Sequence, residues 1–254
     1  MTGAPGTFPA TAACDAPTVG GWGVLGGTFD PVHCAHLAIA EHTRDALGLA
    51  GVLFVPARVP PHKIGREITP IADRIAMVEH AIADNPAFHV SRIEADRDGP
   101  NYTVDTIERL LADPPKPWNP TAGLIFILSV EALLGMETWH APEALLRSCR
   151  LAVVPRRGYP VEPVAWVAEH FPGFEDRVIA LDSPDLGHSA SAIRAQVAAG
   201  QSVRYLVPPE VEAYILAHGL YRPGAPDVPD VPARDRPDAA PRAGSTPARR
   251  SEAE

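Results

Sequence analysis

Two histidines, His33 and His36, stand three residues apart in the stretch GVLGGTFDPVHCAHLAIAEH, residues 23–42. The stretch reads as a strand that ends in Gly26 and Gly27, a turn, and a helix that opens beside the histidines. Imidazoles at i and i+3 lie on neighbouring sides of a first helical turn, and both can donate to phosphoryl oxygens. Glycines at a strand end let backbone N–H groups come close to a phosphate. A helix N-terminus adds unpaired N–H groups and partial positive charge. Together these types point to a corner that receives a nucleoside triphosphate. Two readings compete with it. One is a pair of polar surface histidines with no task. The other is a zinc pair, although helix-borne zinc pairs sit at i, i+4 and no third ligand is evident. No GxxxxGK[ST] loop occurs, and no GxGxxG finger stands between a strand and a helix, which argues against those two phosphate cradles.

The elements that must position this corner alternate. Apolar runs predict strands at 22–27, 51–57, 88–95, 123–129, 150–156 and 177–183. Helical spacing predicts helices at 34–48, 69–84, 103–113, 142–149, 165–171, 189–200 and 208–221, with Gly48 and Gly200 as stops and Thr69-Pro70 as an opening cap. Regular β-α alternation implies an α/β fold, a Rossmann-like doubly wound parallel sheet with helices on both faces. In such sheets ligands bind at the carboxyl ends of strands, where the strand order reverses.

The bounds of the chain agree with one such domain. Its 254 residues are 46% hydrophobic, enough for a sizeable core. The formal net charge of −9 argues against a general electrostatic grip on nucleic acid, so any anion site must be local. No apolar run approaches the ~20 residues of a membrane span. The start lacks a basic segment followed by an apolar one, so no secretory leader is expected. Three cysteines (Cys14, Cys34 and Cys149) have no metal or redox spacing and read as reduced thiols of a cytoplasmic protein. Residues 1–20 are expected to be flexible, 21–222 to fold, and 223–254 (rich in Pro, Ala and charge) to form a disordered tail.

The stretch GGTFDPVHCAHL resembles the GGTFDPxHxGH signature of the HxGH-type nucleotidyltransferase superfamily. Further stretches are similar to one branch, the bacterial nicotinate-nucleotide adenylyltransferases: VPPHK at 59–63, NYTVDTIERL at 101–110, Trp139 in METWH, VPRRGYP at 154–160, HSASAIR at 188–194 and YLVPPEVEAYILAHGLY at 205–221. They keep the family's order over about 22–222. The resemblance implies transfer of adenylate from ATP to nicotinate mononucleotide, giving deamido-NAD and pyrophosphate, with Mg²⁺ accompanying ATP and no metal held by the protein. It implies His33, His36 and Arg194 as catalytic. It assigns Gly26, Gly27, Thr28, Phe29, Ser129, Glu131, Ser189, Ser191 and Arg194 to ATP, and Lys63, Tyr102, Thr103 and Trp139 to the mononucleotide. The chemistry suits these types. The nucleophile is an ionised phosphate oxygen, so no general base is needed, and catalysis reduces to alignment and charge stabilisation. Trp139 is expected on a loop, where its ring can stack on the pyridine. Thr103 reads equally as a helix cap.

The family pattern is broken at four places. Ala35 replaces the glycine between the histidines. Ser129-Val130-Glu131 stands where the family has GxD against adenosine. Arg157 replaces a proline, and Ala190-Ser191 replaces Ser-Thr. An adenylyltransferase for another acceptor, such as nicotinamide mononucleotide, and a divergent non-catalytic nucleotide-binding homologue are therefore the alternatives.

Overall fold

The computed structural model describes residues 20–58, 68–97, 101–118, 123–156, 158–182 and 187–222. Six strands form one parallel sheet: β1 (Trp22–Gly27), β2 (Gly51–Pro56), β3 (Phe88–Val90), β4 (Leu124–Ser129), β5 (Arg150–Val154) and β6 (Val178–Ala180), in the order β3-β2-β1-β4-β5-β6. Eight helices surround it among the described residues: α1 (Cys34–Leu47), α2 (Ile71–Ala81), α3 (Thr103–Ala112), α4 (Val130–Leu134), α5 (Pro142–Ser148), α6 (Pro163–His170), α7 (Ala190–Ala198) and α8 (Pro209–Ala217). The Rossmann-like doubly wound class expected from the alternation is the one observed.

Strand side chains alternate between two cores, as a period of two requires. Leu25, Phe54, Ile125 and Ile127 pack with Ala40, Met77, Val78, Ile193, Val211 and Ile215, under α1, α2, α7 and α8. Val24, Leu53, Phe126 and Leu128 pack with Ile107, Leu110, Leu133, Leu145 and Val167, under α3 to α6. Both faces are covered, which is why these strands read as unbroken apolar runs.

The strand order turns back between β1 and β4. Their pairing stops at Leu25↔Ile127, while β1 continues against β2 to Gly27↔Pro56 and β4 against β5 to Ser129↔Val154. The two strand ends therefore part at the carboxyl edge, the place where sheets of this kind bind ligands. Gly27 is needed at that edge for a local reason too: a Cβ would lie 3.0 Å from the Phe29 ring.

Several expected boundaries shift. The strand expected at 88–95 is shorter: β3 ends at Val90, where the alternation changes parity, and Ser91 turns the chain, its Oγ accepting the Ile93 N–H at 3.3 Å. The 177–183 strand is likewise trimmed to Val178–Ala180. Thr69 does not cap α2; the helix is preceded by Pro70, and Thr69 gives its carbonyl to Arg74. Thr103 is the first residue of α3, after Tyr102, and caps nothing. Helix α4, which follows β4 without a gap, was not expected. Gly48 does end α1, in the left-handed region at φ +62°.

Residues 1–19 and 223–254, Lys63 and Arg157 lie outside the described residues. On composition alone, a chain ending at Arg222 is expected to keep its melting temperature and its activity. A loss of several degrees would show that residues 223–254 pack.

Candidate active site

His33 precedes α1 with extended backbone and is only 5% exposed. Its N–H donates to His36 Nδ1 at 3.2 Å. The two rings stack, with centroids 3.7 Å apart and planes 22° apart. Phe29, itself buried, stands edge-on to His36 at 5.0 Å, and His188 lies parallel to His33 at 6.2 Å. Since His36 Nδ1 accepts, the neutral ring carries its proton on Nε2, and that is the atom left to donate.

Neither ring is a cation at neutral pH. Burial pushes the His33 pKa down to about 4, helped by the charges of His188 and Arg156. His36 is held well below the ordinary imidazole range, by desolvation first and then by His33 and Arg156. Two rings in van der Waals stacking cannot both take a proton cheaply. The Cys34 thiol is pushed up by burial and stays protonated.

The helix end itself offers less than the sequence suggests. The Cys34 N–H is taken by the Leu206 carbonyl at 2.9 Å, and the His36 N–H by the His33 carbonyl at 2.9 Å. With the His33 N–H also engaged, the corner relies on side chains more than on free helix donors.

Arg194, on the first turns of α7, supplies the permanent cation. Its Nη1 donates to the Asp30 carbonyl at 2.7 Å and its Nη2 to Ser191 Oγ at 3.3 Å, while its side chain stays 35% exposed. Ser189 precedes α7 and makes no side-chain cap. Gly26, Gly27 and Thr28 line the same edge, partly or fully exposed. Phe29 is buried as a whole residue, 2% exposed, with its backbone at φ +50°.

Ser129 caps α4, its Oγ accepting the Ala132 N–H at 3.3 Å. Glu131 pairs with Arg156 at 2.6 Å. Across the sheet, Trp139 is half-buried and meets Phe126 edge-on at 6.3 Å. Tyr102, at the head of α3 beside Thr103, lies 4.4 Å from the His140 ring. Gly26 links the two halves, because a Cβ there would lie 3.4 Å from the same Phe126 ring. His33 and His36 thus stack after the end of β1, Arg194 and Ser191 reach that end through Asp30, and Tyr102 and Trp139 pack on the core of the other face.

Asp30, Arg74, Arg156 and Tyr221 were missed. Arg74 is fully buried and donates to the carbonyls of Thr28, Ala57, Arg58 and Thr69, at 2.7–3.0 Å, tying the ends of β1 and β2 to the start of α2. Its signal was available: it sits at i+3 from Ile71 and i−4 from Val78, on the apolar stripe, where an arginine needs a reason. Asp30, Arg156 and Tyr221 all lie inside quoted motifs, but nothing local marks them as partners of the site.

The comparisons with known proteins agree with one another. A family model described as cytidylyltransferase-like matches residues 24–196. A "probable nicotinate-nucleotide adenylyltransferase" of Thermomicrobium roseum is 43% identical over 200 residues, covering 79% of this chain and 91% of that one. One of the same name from Roseiflexus is 45% identical, covering 79% and 97%. The chain belongs to the nicotinate-nucleotide adenylyltransferase family. A solved structure of nicotinic acid mononucleotide adenylyltransferase from Plasmodium falciparum shares the fold, with a TM-score of 0.64 at 16% identity, covering 79% of this chain and 97% of that one.

Within this nucleotidyltransferase family the departures now have places. Ala35 is buried, 7% exposed, so its methyl is not an exposed bump. The Ser129 hydroxyl turns to a helix-capping task. Glu131 keeps a carboxylate, but Arg156 claims it. No helix among the described residues is long and apolar enough to cross a membrane.

Proposed function

We propose that the chain transfers adenylate from ATP to nicotinate mononucleotide, releasing deamido-NAD and pyrophosphate. The observation that carries this is the stacked, neutral His33–His36 pair after the end of β1, with an accessible Arg194 held on the Asp30 carbonyl three residues upstream of His33. An acceptor phosphate oxygen attacks the α-phosphorus as the bond to the β-phosphate oxygen breaks. The electron pair leaves with pyrophosphate, and no proton has to be removed. The site must hold the partners in line and stabilise the charge that spreads over the phosphoryl oxygens. His36 Nε2–H and the imidazole of His33 serve as oriented neutral donors, and Arg194 as a planar cationic fork. Ser189, Ser191, Gly26, Gly27, Thr28 and Phe29 add hydroxyls and backbone around the nucleotide. Ser129 and Glu131 stand toward its nucleoside end. Tyr102, Thr103 and Trp139 line the acceptor side, to which the sequence motif also assigns Lys63, outside the described residues.

A divalent cation, Mg²⁺, fits this reading as a companion of ATP. Asp30 is buried with its carboxylate already engaged, Glu131 is paired, and no cluster of three potential ligands occurs among the described residues. The phosphates and water would hold the ion. When bound, it would neutralise charge on the leaving group.

Pyrophosphate release, measured with ATP and each of the acid and amide mononucleotides, tests the reading. Turnover that favours the acid supports it. Preference for the amide reassigns the acceptor, and nucleotide binding without turnover makes the chain a binder.

The buried imidazoles also set a pH dependence. Because the His33 pKa is lowered, the unfolded state takes up the proton first as pH falls. The stability this group contributes is present above about pH 6.5 and is lost toward pH 4, by about 3 kcal/mol from His33 alone at the usual 1.36 kcal/mol per unit. kcat/KM for ATP should stay flat from pH 8 to 6. A pH–rate profile checks this, and an inflection near 6.5 that disappears in His36→Ala would contradict it.

A further inference from the structure

We infer that Tyr221 is a positioning residue that keeps Arg194 available to substrate by saturating the carboxylate of Asp30. The inference rests on the adenylyl-transfer reading for its kinetic consequences, but not for its geometry. Tyr221 follows α8 at the end of the described fold and reaches back 191 residues to Asp30, donating to Oδ1 at 2.8 Å. The other oxygen, Oδ2, has a long bond from the Thr69 N–H at 3.4 Å. It also lies 3.9 Å from Arg194 Nη1, too far for a hydrogen bond. That same Nη1 donates instead to the main-chain carbonyl of Asp30, at 2.7 Å. The guanidinium is thus moored to Asp30 without being captured by its charge.

This arrangement is poised between two states. The Asp30 side chain is 6% exposed, so water cannot readily supply a lost donor. A buried carboxylate deprived of a partner takes the nearest one, and a guanidinium is the strongest donor at hand. Closing the 3.9 Å gap would turn the fork toward Asp30 and away from phosphoryl oxygens. The Tyr221 hydroxyl prevents it. Burial and the Asp30 charge push its pKa up from the ordinary phenol range, so it remains a donor throughout the working pH range. Its backbone sits in the left-handed region at φ +65°, a conformation that a bulky residue keeps only where its surroundings hold it. The surroundings are present: the hydroxyl touches Met77 Sδ at 3.9 Å, and the ring packs on the core under α2 and α8.

Tyr221→Phe deletes the hydroxyl and keeps the ring. kcat is expected to fall about tenfold, with both KM values within about twofold of wild type, because Arg194 acts on the charge of the transition state. Adding Asp30→Asn to Tyr221→Phe should recover part of the loss, since no carboxylate is left to capture the guanidinium. A purely structural tyrosine would make the double variant worse than either single one. Melting temperatures check that all three chains fold. The geometry is tested without turnover by a crystal structure of Tyr221→Phe, in which Arg194 should lie within hydrogen-bond distance of the Asp30 carboxylate. Wild-type kcat in Tyr221→Phe, singles that multiply in the double variant, or an Arg194 still on the main-chain carbonyl would each overturn the inference. A wild-type chain inert toward ATP and both mononucleotides would sink the functional reading alone, and the crystal structure would still decide this one.

Discussion

His36→Ala is expected to lower kcat by about 10²-fold or more, on the order of 3 kcal/mol, as for losing one oriented donor to developing charge. The geometry says which atom is lost. Nδ1 accepts from the His33 N–H at 3.2 Å, so the single proton of the neutral ring is on Nε2. Its pKa is depressed, so it cannot act as a cation that binds ground-state ATP by charge alone. A neutral donor fixed by stacking on His33 and by the edge of Phe29 costs little to reorganise, and it strengthens as the equatorial oxygens gain charge. KM for ATP should therefore change much less than kcat. His36→Asn retains an N–H and should retain part of the rate. Single-turnover rates with saturating ATP, beside melting temperatures, are the measurement. Turnover near the wild-type rate in His36→Ala would mean that the stacked pair is not the phosphate corner.

Much of the scaffold of this corner was legible because it is made of local patterns. β1 and β4 are buried on both faces, so WGVLGG and LIFILS stand out as apolar runs with sharp ends. The entry into α1 follows a turn, and Gly48 marks its exit by the left-handed backbone that only glycine adopts freely. Helix α4 was hidden for the same reason that β4 was visible: Val130, Leu133 and Leu134 prolong the apolar run, and only the Ser129 cap separates strand from helix. β3 was overdrawn because Ile93 and Ala95 resume an every-other apolar pattern after the chain has turned, although out of step with Phe88 and Val90. The site divides along the same line. His33, His36 and the glycines announce themselves within one short stretch. The supports of Arg194 do not, because Asp30 lies 164 residues from it and Tyr221 lies 191 residues from Asp30. Pairings of that separation are set by how the helices pack over the sheet, and no local period records them.

Trp139 draws the second large effect, and the structure sharpens how to read it. Trp139→Ala is expected to raise KM for nicotinate mononucleotide roughly 5- to 100-fold, taking ~1–3 kcal/mol for an aromatic stack on a heterocyclic base as the guide. The pyridine ring is remote from the phosphorus that reacts, so its stacking contributes about equally in ground and transition states. Losing such uniform binding leaves kcat and the KM for ATP nearly unchanged. Trp139 is also half-buried, edge-on to Phe126 at 6.3 Å, on the core that carries α3 to α6. Some loss of melting temperature is therefore expected whether or not the ring meets substrate, and stability alone cannot assign it. The division between the two Michaelis constants can. Phe126 also borders Gly26, so a collapse of this wall into the vacated space would reach the nucleotide edge and weaken ATP as well. Trp139→Phe fills most of that space and keeps a π face. It should restore the ATP constant fully and the mononucleotide constant in part. If both constants rise together in Trp139→Ala and both return together in Trp139→Phe, the indole is a core side chain and the acceptor is recognised elsewhere.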